Sequence, residues 1–274
     1  MQKLTCEGPM TKFDTKSGVF ESELIEGTIL VSLKSQALKI LIDQATSSDY
    51  FNMLNSVNDE KDIRAYVQIN DAESYGLEAV DDLVRILSEG DDQLDKPNWS
   101  VSSQKELLAA RFKNTVGRIL LARATLNKVK IAGLEGMISG EYLGSALYFD
   151  MRIATADVTF CFDNLRTGIP ASPGLTFLMP RFIGLGRTLD LINSCATIDA
   201  RDALELGLVS EIVENREKLN ERCIQEAQRL SDHHANSVTY NRDQMMPSAS
   251  EMRSTLESYY KAASRFYYAH LQEP

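Results

Sequence analysis

The sequence predicts an α/β fold, because segments with strand character alternate along the chain with segments of helical spacing. The run Thr28–Leu33 is apolar and β-branched, and Ile63–Ile69 alternates between apolar and polar residues, as strands do. Residues 36–56, which lie between them, carry apolar residues at helical spacing. Strands joined through helices in this order indicate βαβ units.

The remaining elements continue this alternation. A loop over 70–76 precedes a helix over 77–87, and residues 88–103, with their Gly, Pro and Asp, are predicted to form a mobile surface loop. A long helix is predicted over 103–126. The later predictions are strands at 129–134, 151–154 and 158–162, a turn at 136–140, and helices at 141–149, 174–182, 185–194, 199–206, 216–230 and 249–271.

Two segments near the ends of the chain leave alternatives open. Residues 1–26 are polar and are interpreted as either a β-hairpin or a frayed arm. The last helix begins with Ser248 and Glu251 at capping-box spacing. Its aromatic stripe either packs on its own domain or forms a subunit interface, where aromatic side chains are enriched.

Composition and charge exclude several classes of protein. The 274 residues carry a formal net charge of −10, which argues against general nucleic-acid binding, because that binding depends on clustered Lys and Arg. The four cysteines are far apart and form neither a zinc pattern nor a dense disulfide framework, so free thiols are expected and no metal is predicted. Neither a signal peptide nor a membrane-spanning run is evident. A cytoplasmic protein is the expectation.

Five segments between residues 129 and 209 resemble, in the same order, motifs of the crotonase (enoyl-CoA hydratase/isomerase) superfamily. Val129–Gly140 resembles the family's strand and turn, and Leu147–Ala154 resembles its "ALACDIRIA" stretch. Gly168–Thr176 resembles its "G-xx-P-GxGGT" turn, and Leu178–Gly184 resembles its "RLPRLVG" helix. Ile198–Val209 resembles its "I-x-A-x-E-A-x-x-x-GLV" signature.

The resemblance implies an architecture and a ligand class. The fold would be a crotonase-type spiral of ββα units over residues 1–210, followed by a C-terminal helical trimerisation region over 211–274. The chain would form homotrimers or hexamers. It would act on an acyl-CoA or acyl-carrier-protein thioester, with coenzyme A as part of the substrate and no separate cofactor.

The resemblance also implies an oxyanion hole, in which two main-chain N–H groups bind the thioester carbonyl oxygen as it becomes an enolate. One donor would be Gly140 or Glu141, at the start of the 141–149 helix. The other would be Leu77, preceded by Gly76 at the position of the family's loop glycine. A surface loop without this function explains residues 74–78 equally well.

The two glutamates with which hydratases of the family add water are missing. Their positions are Gly144 and Asn164, and neither residue can ionise, so ordinary hydration by that route is not expected. Asp163 is adjacent, but one residue along a strand the side chain is expected to face the other way. Glu141 is the first candidate for a replacement base; alternatively, it is a solvated carboxylate favoured by the helix dipole.

Other polar residues have weaker interpretations. Tyr75 and Tyr142 are candidates for proton donors or for lining of the acyl pocket, and packing explains them as well. The pair His233-His234 is interpreted as part of a polar linker. Candidate cations for the coenzyme A phosphates are Lys34, Lys261 and Arg265, although each is also an ordinary surface cation.

Two hypotheses about function follow. The first is an enzyme that acts on an acyl thioester by enolate stabilisation, with isomerisation, decarboxylation, hydrolysis and atypical hydration all open. The second is a non-catalytic binding or scaffold subunit on the same fold. A pocket filled by Glu141 or Tyr142 would favour the scaffold, and converging Gly140 and Leu77 amides would favour the enzyme.

Overall fold

The computed structural model describes residues 13–89, 101–167 and 170–272, except the side chains of residues 88, 101–105, 167, 233–234 and 264–272. The strands are β1 (Thr15–Lys16), β2 (Phe20–Ile25), β3 (Thr28–Leu33), β4 (Ala65–Asn70), β5 (Val129–Leu134), β6 (Met137–Ser139), β7 (Met151–Thr155), β8 (Thr159–Cys161), β9 (Thr197–Asp199) and β10 (Glu211–Val213).

The helices of the described residues surround these strands. They are α1 (Gln44–Asp59), α2 (Leu77–Glu89), α3 (Val101–Thr125), α4 (Gly140–Ala146), α5 (Asn164–Thr167), α6 (Met179–Ile183), α7 (Leu185–Asn193), α8 (Ala200–Glu205), α9 (Arg216–Met245) and α10 (Ala249–Gln272). A 3-10 helix (Ala37–Leu41) and a π-helical segment (Gly174–Leu178) complete them.

The described strands divide between two sheets. The larger sheet has the order β1-β2-β3-β4-β5-β7-β10 and the smaller one β6-β8-β9. From β3 to β10 the larger sheet is parallel. Strands β5 and β7 lie in the larger sheet, while their successors β6 and β8 lie in the smaller one, and a helix follows each pair. This arrangement confirms the predicted α/β fold of ββα units.

Two packed layers bury the larger sheet. On one face, Leu219, Cys223 and Ala227 of α9 pack against β4 and β5. On the other face, the main core joins the sheet to α1, α3 and α4. All six positions of β4 and of β5 are buried, as expected for central parallel strands covered on both sides.

Several element boundaries differ from the sequence prediction. The helix expected over 36–56 is broken, because Asp43 is extended and its carboxylate accepts a hydrogen bond from the Thr46 amide at 2.7 Å, which caps α1. The helix expected over 141–149 already ends at Ala146. Strand β6 occupies most of the turn predicted over 136–140.

Helix α9 corrects a further interpretation. It extends to Met245 rather than ending near 230, so the backbone of His233-His234 is helical and not a polar linker. The loop predicted over 88–103 is helical at both ends, in α2 and α3, and its centre, residues 90–100, lies outside the described residues.

The structure decides in part between the alternatives for residues 1–26 and for the last helix. Strands β1 and β2 continue into β3 as antiparallel neighbours, with Glu26 and Gly27 at positive φ in the connecting turn, as in a hairpin. Residues 1–12 lie outside the described part. The capping box of α10 is confirmed, because the Ser248 amide donates to Glu251 at 2.8 Å and the Glu251 amide donates to Ser248 Oγ at 3.2 Å.

Helix α10 packs along α3 of its own chain. A Cβ atom on Gly117 would clash with Tyr260 Oη, so this glycine lets the two helices approach. The predicted boundary at residue 210 falls just before β10, which pairs with β7, and the division into two regions stays a prediction. None of the described helices combines the length and apolar composition needed to cross a bilayer.

Candidate active site

A cavity of about 110 Å³ lies where α1, α2, α3 and α4 meet beside the larger sheet. This volume is several times the ~10–15 Å³ that one water molecule requires. Much of the wall is apolar, from the 3-10 helix, α2 and α3. One region is polar and contains Glu141, Asp163, Asn164 and Ser172. An apolar chamber with a few polar groups is the usual composition of a small-molecule site.

The first turn of α4 forms part of the polar region. Ser139 is extended and caps the helix, accepting a hydrogen bond from the Tyr142 amide at 3.4 Å. Its hydroxyl therefore has a structural role. Gly140 follows, and a Cβ atom there would lie 2.6 Å from the Phe162 ring. N–H groups in a first turn have no intrahelical acceptor, so the amides of Gly140 and Glu141 are available candidates for donation to a ligand.

The loop before α2 lies against this turn. Tyr75 forms a parallel β-bridge with Ile138, and the Ser139 amide donates to the Tyr75 carbonyl at 3.0 Å. Ser74 is fully buried and donates to the Leu33 carbonyl at 2.9 Å. The residue after Gly76 is Leu77, the first of α2. The loop is thus fixed to β6, and the N-termini of α2 and α4 are held as neighbours.

The Glu141 carboxylate is partly buried and lines the cavity, which argues against the alternative of a solvated surface carboxylate. Oε1 accepts a hydrogen bond from Asn164 Nδ2 at 2.7 Å, and the Ser172 amide donates to Oε1 and Oε2 at 3.0 and 3.2 Å. Burial raises the pKa of Glu141, and these hydrogen bonds, which favour the ionised form, reduce that shift.

The structure explains why Gly144 carries no side chain. A Cβ atom there would lie 2.7 Å from the Gly174 carbonyl carbon and 2.9 Å from the Leu175 amide nitrogen. These are backbone atoms, which cannot move without displacing the π-helical segment. The position of one expected glutamate is therefore filled by backbone, whereas the other, Asn164, faces the cavity and binds Glu141.

The prediction that the Asp163 side chain faces away from the site is wrong. Strand β8 ends at Cys161, so the alternation of a strand no longer applies, and both Asp163 and Asn164 line the cavity. Asp163 is held by Arg166 at 2.8 Å, and Arg166 also binds Asp81 at 2.7 Å. The negative charge of Asp163 contributes to the raised pKa of Glu141.

Two predicted tyrosines form one wall of the cavity. The rings of Tyr75 and Tyr142 stack with centroids 3.9 Å apart. The Tyr142 hydroxyl accepts from Gln68 Nε2 at 2.9 Å, and burial raises its pKa to about 12. Tyr50 and Tyr66 donate to Gln68 Oε1. This network orients the tyrosines as neutral lining groups.

Arg123, which the sequence reasoning missed, also lines the cavity and is only 5% exposed. Its Nη1 bonds Ser145 Oγ, whereas its buried Nε has no hydrogen-bond partner in the part of the chain that the structure describes. Within the described residues, no carboxylate lies within ion-pair distance of its guanidinium. The Tyr142 and Phe149 rings are 5.6 and 5.2 Å from its Cζ.

The aromatic contacts only partly offset the burial of this charge. Removing an ion from water costs several kcal/mol even after relaxation, whereas a desolvated cation–π contact contributes about 2 kcal/mol. A signal was present in the sequence: Arg123 continues the apolar stripe of α3 formed by Phe112, Val116 and Ile119 at helical spacing.

Two of the predicted cations for coenzyme A, Lys34 and Lys261, are not among the described residues that line the cavity. Lys34 binds Glu21 at 2.9 Å and is 3.7 Å from Asp71, so it is already paired. Lys261 is exposed on α10, and the side chain of Arg265 lies outside the described residues. Their role in phosphate binding stays a prediction. Among described side chains, no group of three or more His, Cys, Asp or Glu could hold a metal ion.

Similarity to solved structures concerns the fold. An enoyl-CoA hydratase from Bacillus halodurans has a TM-score of 0.71 at 21% identity, covering 92% of this chain and 96% of that one. An enoyl-CoA hydratase/isomerase from Pseudoalteromonas atlantica has a TM-score of 0.67 at 17% identity, covering 93% and 92%. At these identities the similarity shows the architecture alone.

Curated relatives match a shorter segment. A probable enoyl-CoA hydratase of Mycobacterium leprae is 31% identical over 124 residues, 45% of this chain and 42% of that protein. One of Bacillus subtilis is 32% identical over 126 residues, 46% and 47% respectively. The matched segment spans less than half the length of these relatives. The family model for enoyl-CoA hydratase/isomerase matches residues 27–273. The chain therefore belongs to the enoyl-CoA hydratase/isomerase family.

Proposed function

We propose that this chain is an enzyme that binds the acyl group of an acyl-CoA or acyl-carrier-protein thioester in the cavity and stabilises its enolate. The observation that carries the proposal is the junction of two helix N-termini. Helices α2 and α4 begin at Leu77 and Gly140, and the Tyr75–Ile138 bridge holds the preceding residues together. In the proposed site, one amide from each turn donates to the thioester carbonyl oxygen, where negative charge develops during enolisation.

Glu141 is the proposed base. It lies in the same turn as one donor, and burial raises its pKa, which makes the carboxylate a stronger base for proton transfer. Asp163 is less suited to this role because Arg166 pairs with it. A single base beside an enolate-stabilising site supports proton transfer at the α-carbon, as in an isomerisation.

The observations do not favour two-glutamate hydration. Backbone atoms fill the space beside Gly144, and the Asn164 amide cannot ionise. A scaffold function is also less favoured, because Tyr142 is held in the wall by Gln68 and the cavity stays open. Decarboxylation and thioester hydrolysis would use the same stabilised oxygen. Their products distinguish them experimentally from isomerisation.

The proposed assembly is a homotrimer or hexamer. Large apolar side chains on α7, Leu185 and Leu189, are 64% and 47% exposed, and such a surface supports self-association. Sedimentation of the purified chain measures the assembly.

Exchange of α-protons tests the activity. Butyryl-CoA, a 3-enoyl-CoA and malonyl-CoA are incubated separately with the protein in D2O. Deuterium uptake, double-bond migration and free thiol are measured for each thioester, and CO2 is measured for malonyl-CoA, the one of the three with a carboxylate to lose. Glu141→Gln is expected to lose at least 100-fold in uptake while thioester binding is retained. The matched control is Glu73→Gln, because Glu73 is an exposed carboxylate in the loop before α2. Absence of thioester binding by wild-type protein would overturn the proposal.

A second pair of variants tests the amide donor at Leu77. Proline is tolerated at a first helical position and removes the N–H, so Leu77→Pro is expected to lower turnover about 100-fold. Leu77→Ala retains the N–H and is expected to retain most of the activity. Equal activity of the two variants would place the donor elsewhere. Gly140→Pro is less informative, because any β-carbon there meets Phe162.

A further inference from the structure

The cavity lining contains a cationic group, Arg123, that enolate formation does not use. Arg123 is 95% buried, lines the cavity and has no carboxylate partner within the described residues. Its Nη1 bonds Ser145 Oγ, a hydroxyl that also donates to the Tyr142 carbonyl at 2.8 Å. Nε is buried and has no hydrogen-bond partner among the described residues. Guanidinium groups are planar and form paired hydrogen bonds with carboxylates, so a carboxylate is the ligand group best suited to this side chain.

The position of Arg123 relative to α4 sets a length for the ligand. Ser145, which holds Arg123, lies four residues after Glu141, or about 6 Å along the helix axis. A fully extended chain advances about 3.3–3.6 Å per three bonds, so about five bonds span that distance. By this axial distance, a carbonyl bound at the start of α4 would be separated from the Arg123–Ser145 contact by about one short acyl chain.

We propose that the substrate is the thioester of a short dicarboxylic acid, and that Arg123 binds the free carboxylate at the distal end of the acyl group. This inference rests on the proposed thioester function and specifies its substrate class. The apolar residues Val116, Ile119 and Leu120 enclose the methylene chain, and the ligand carboxylate supplies the ion-pair partner that Arg123 lacks among the described residues. Arg123 acts in binding and positioning, and the chemistry at the α-carbon is left to Glu141.

Binding to wild-type protein decides the question first. Dissociation constants are measured by calorimetry for glutaryl-CoA and for glutaramoyl-CoA, in which a neutral amide replaces the distal carboxylate. We expect glutaryl-CoA to bind at least tenfold more tightly than glutaramoyl-CoA. This ratio of affinities should become smaller at high salt. Equal affinity for both ligands would overturn the inference while leaving the thioester proposal intact. If neither ligand nor butyryl-CoA binds, the thioester proposal itself fails.

Two variants then assign the preference to Arg123. Arg123→Met keeps an unbranched side chain of helical preference and is expected to bind both ligands within about twofold of each other. Arg118→Met is the matched control, because Arg118 lies on the same helix, is exposed and packs over Phe51 outside the cavity. It should retain the tenfold preference. A preference that survives in Arg123→Met would exclude this residue as the carboxylate site.

Discussion

Two buried groups of charges differ in how they are neutralised. On the α9 side of the sheet, Arg242 binds Asp150 at 3.0 Å, both side chains are less than a tenth exposed, and the Lys130 amide donates to the same carboxylate at 2.7 Å. In the cavity, Arg123 and Glu141 have no ion-pair partner among the described residues. A structural cluster contains its own counter-ions, whereas a binding site leaves charges for a ligand to neutralise. The contrast supports the proposal that the cavity binds a charged ligand.

The largest effect is expected from breaking the paired cluster. Arg242→Met leaves Asp150 buried without its partner and removes donors to the Lys128 and Leu126 carbonyls. Loss of one member of a buried pair costs about 3–5 kcal/mol, so the free energy of unfolding in urea should fall by that amount. Arg85→Met, which breaks an exposed pair with Asp82, should cost less than about 1 kcal/mol. If the two variants lost similar free energies of unfolding, the distinction between buried and exposed ion pairs would fail.

The packing of the cavity wall is tested next. Gly144→Ala places a methyl group 2.7 Å from the backbone of Gly174 and should destabilise the fold by about 1–3 kcal/mol through overpacking. Gly186→Ala is the matched control, because its methyl group meets no atom within 4 Å and alanine is the better helix former. If Gly144→Ala is as stable as wild type, the wall can yield, and a longer side chain at residue 144 becomes possible.

The pH dependence of stability sharpens the assignment of Glu141. Its pKa is raised in the folded protein, so the folded state holds the proton more tightly than the unfolded chain, whose value is near 4.5. Wild-type stability should therefore fall, relative to Glu141→Gln, as pH rises from 4.5 through the raised pKa. Glu251 is the control with opposite sign, because hydrogen bonds from Ser248 lower its pKa. Melting temperatures measured across this pH range report the contributions of Glu141 and Glu251 to stability. Parallel curves for wild type and Glu141→Gln would contradict the raised pKa of Glu141.

The smallest effect on stability is expected at Arg123. Arg123→Met removes a buried charge that has no ion-pair partner in the described part of the chain, so the free energy of unfolding should be unchanged or higher. The measurement is the same urea titration used for Arg242→Met. A loss as large as that of Arg242→Met would show that Arg123 is structural, and the comparison of the two clusters would fail.

The architecture was largely predictable from the sequence. The strand runs at 28–33, 63–69 and 129–134 and the helix at 77–87 appear close to their expected positions, because apolar periodicity reflects which faces are buried. Boundaries were missed where a local polar contact competes with periodicity, as at Asp43. The short strands β9 and β10 were missed because three residues carry too little pattern.

The site was predictable only in part. Motif order alone led to Glu141, Asn164 and Gly144, and the sequence established that neither of the last two can ionise. The orientation of Asp163 could not be derived, because the end of β8 is set by its pairing with β6 and β9.

By itself, the sequence determined the α/β class, the motif order and the absence of carboxylates at residues 144 and 164, because these depend on residue type and spacing. Only the tertiary structure decided that Gly144 packs against Gly174, that Glu141 binds Asn164 and Ser172, and that Arg123 is buried with no counter-ion among the described residues. These contacts join residues that are distant in the chain, and their electrostatic consequences depend on burial, which local sequence does not specify.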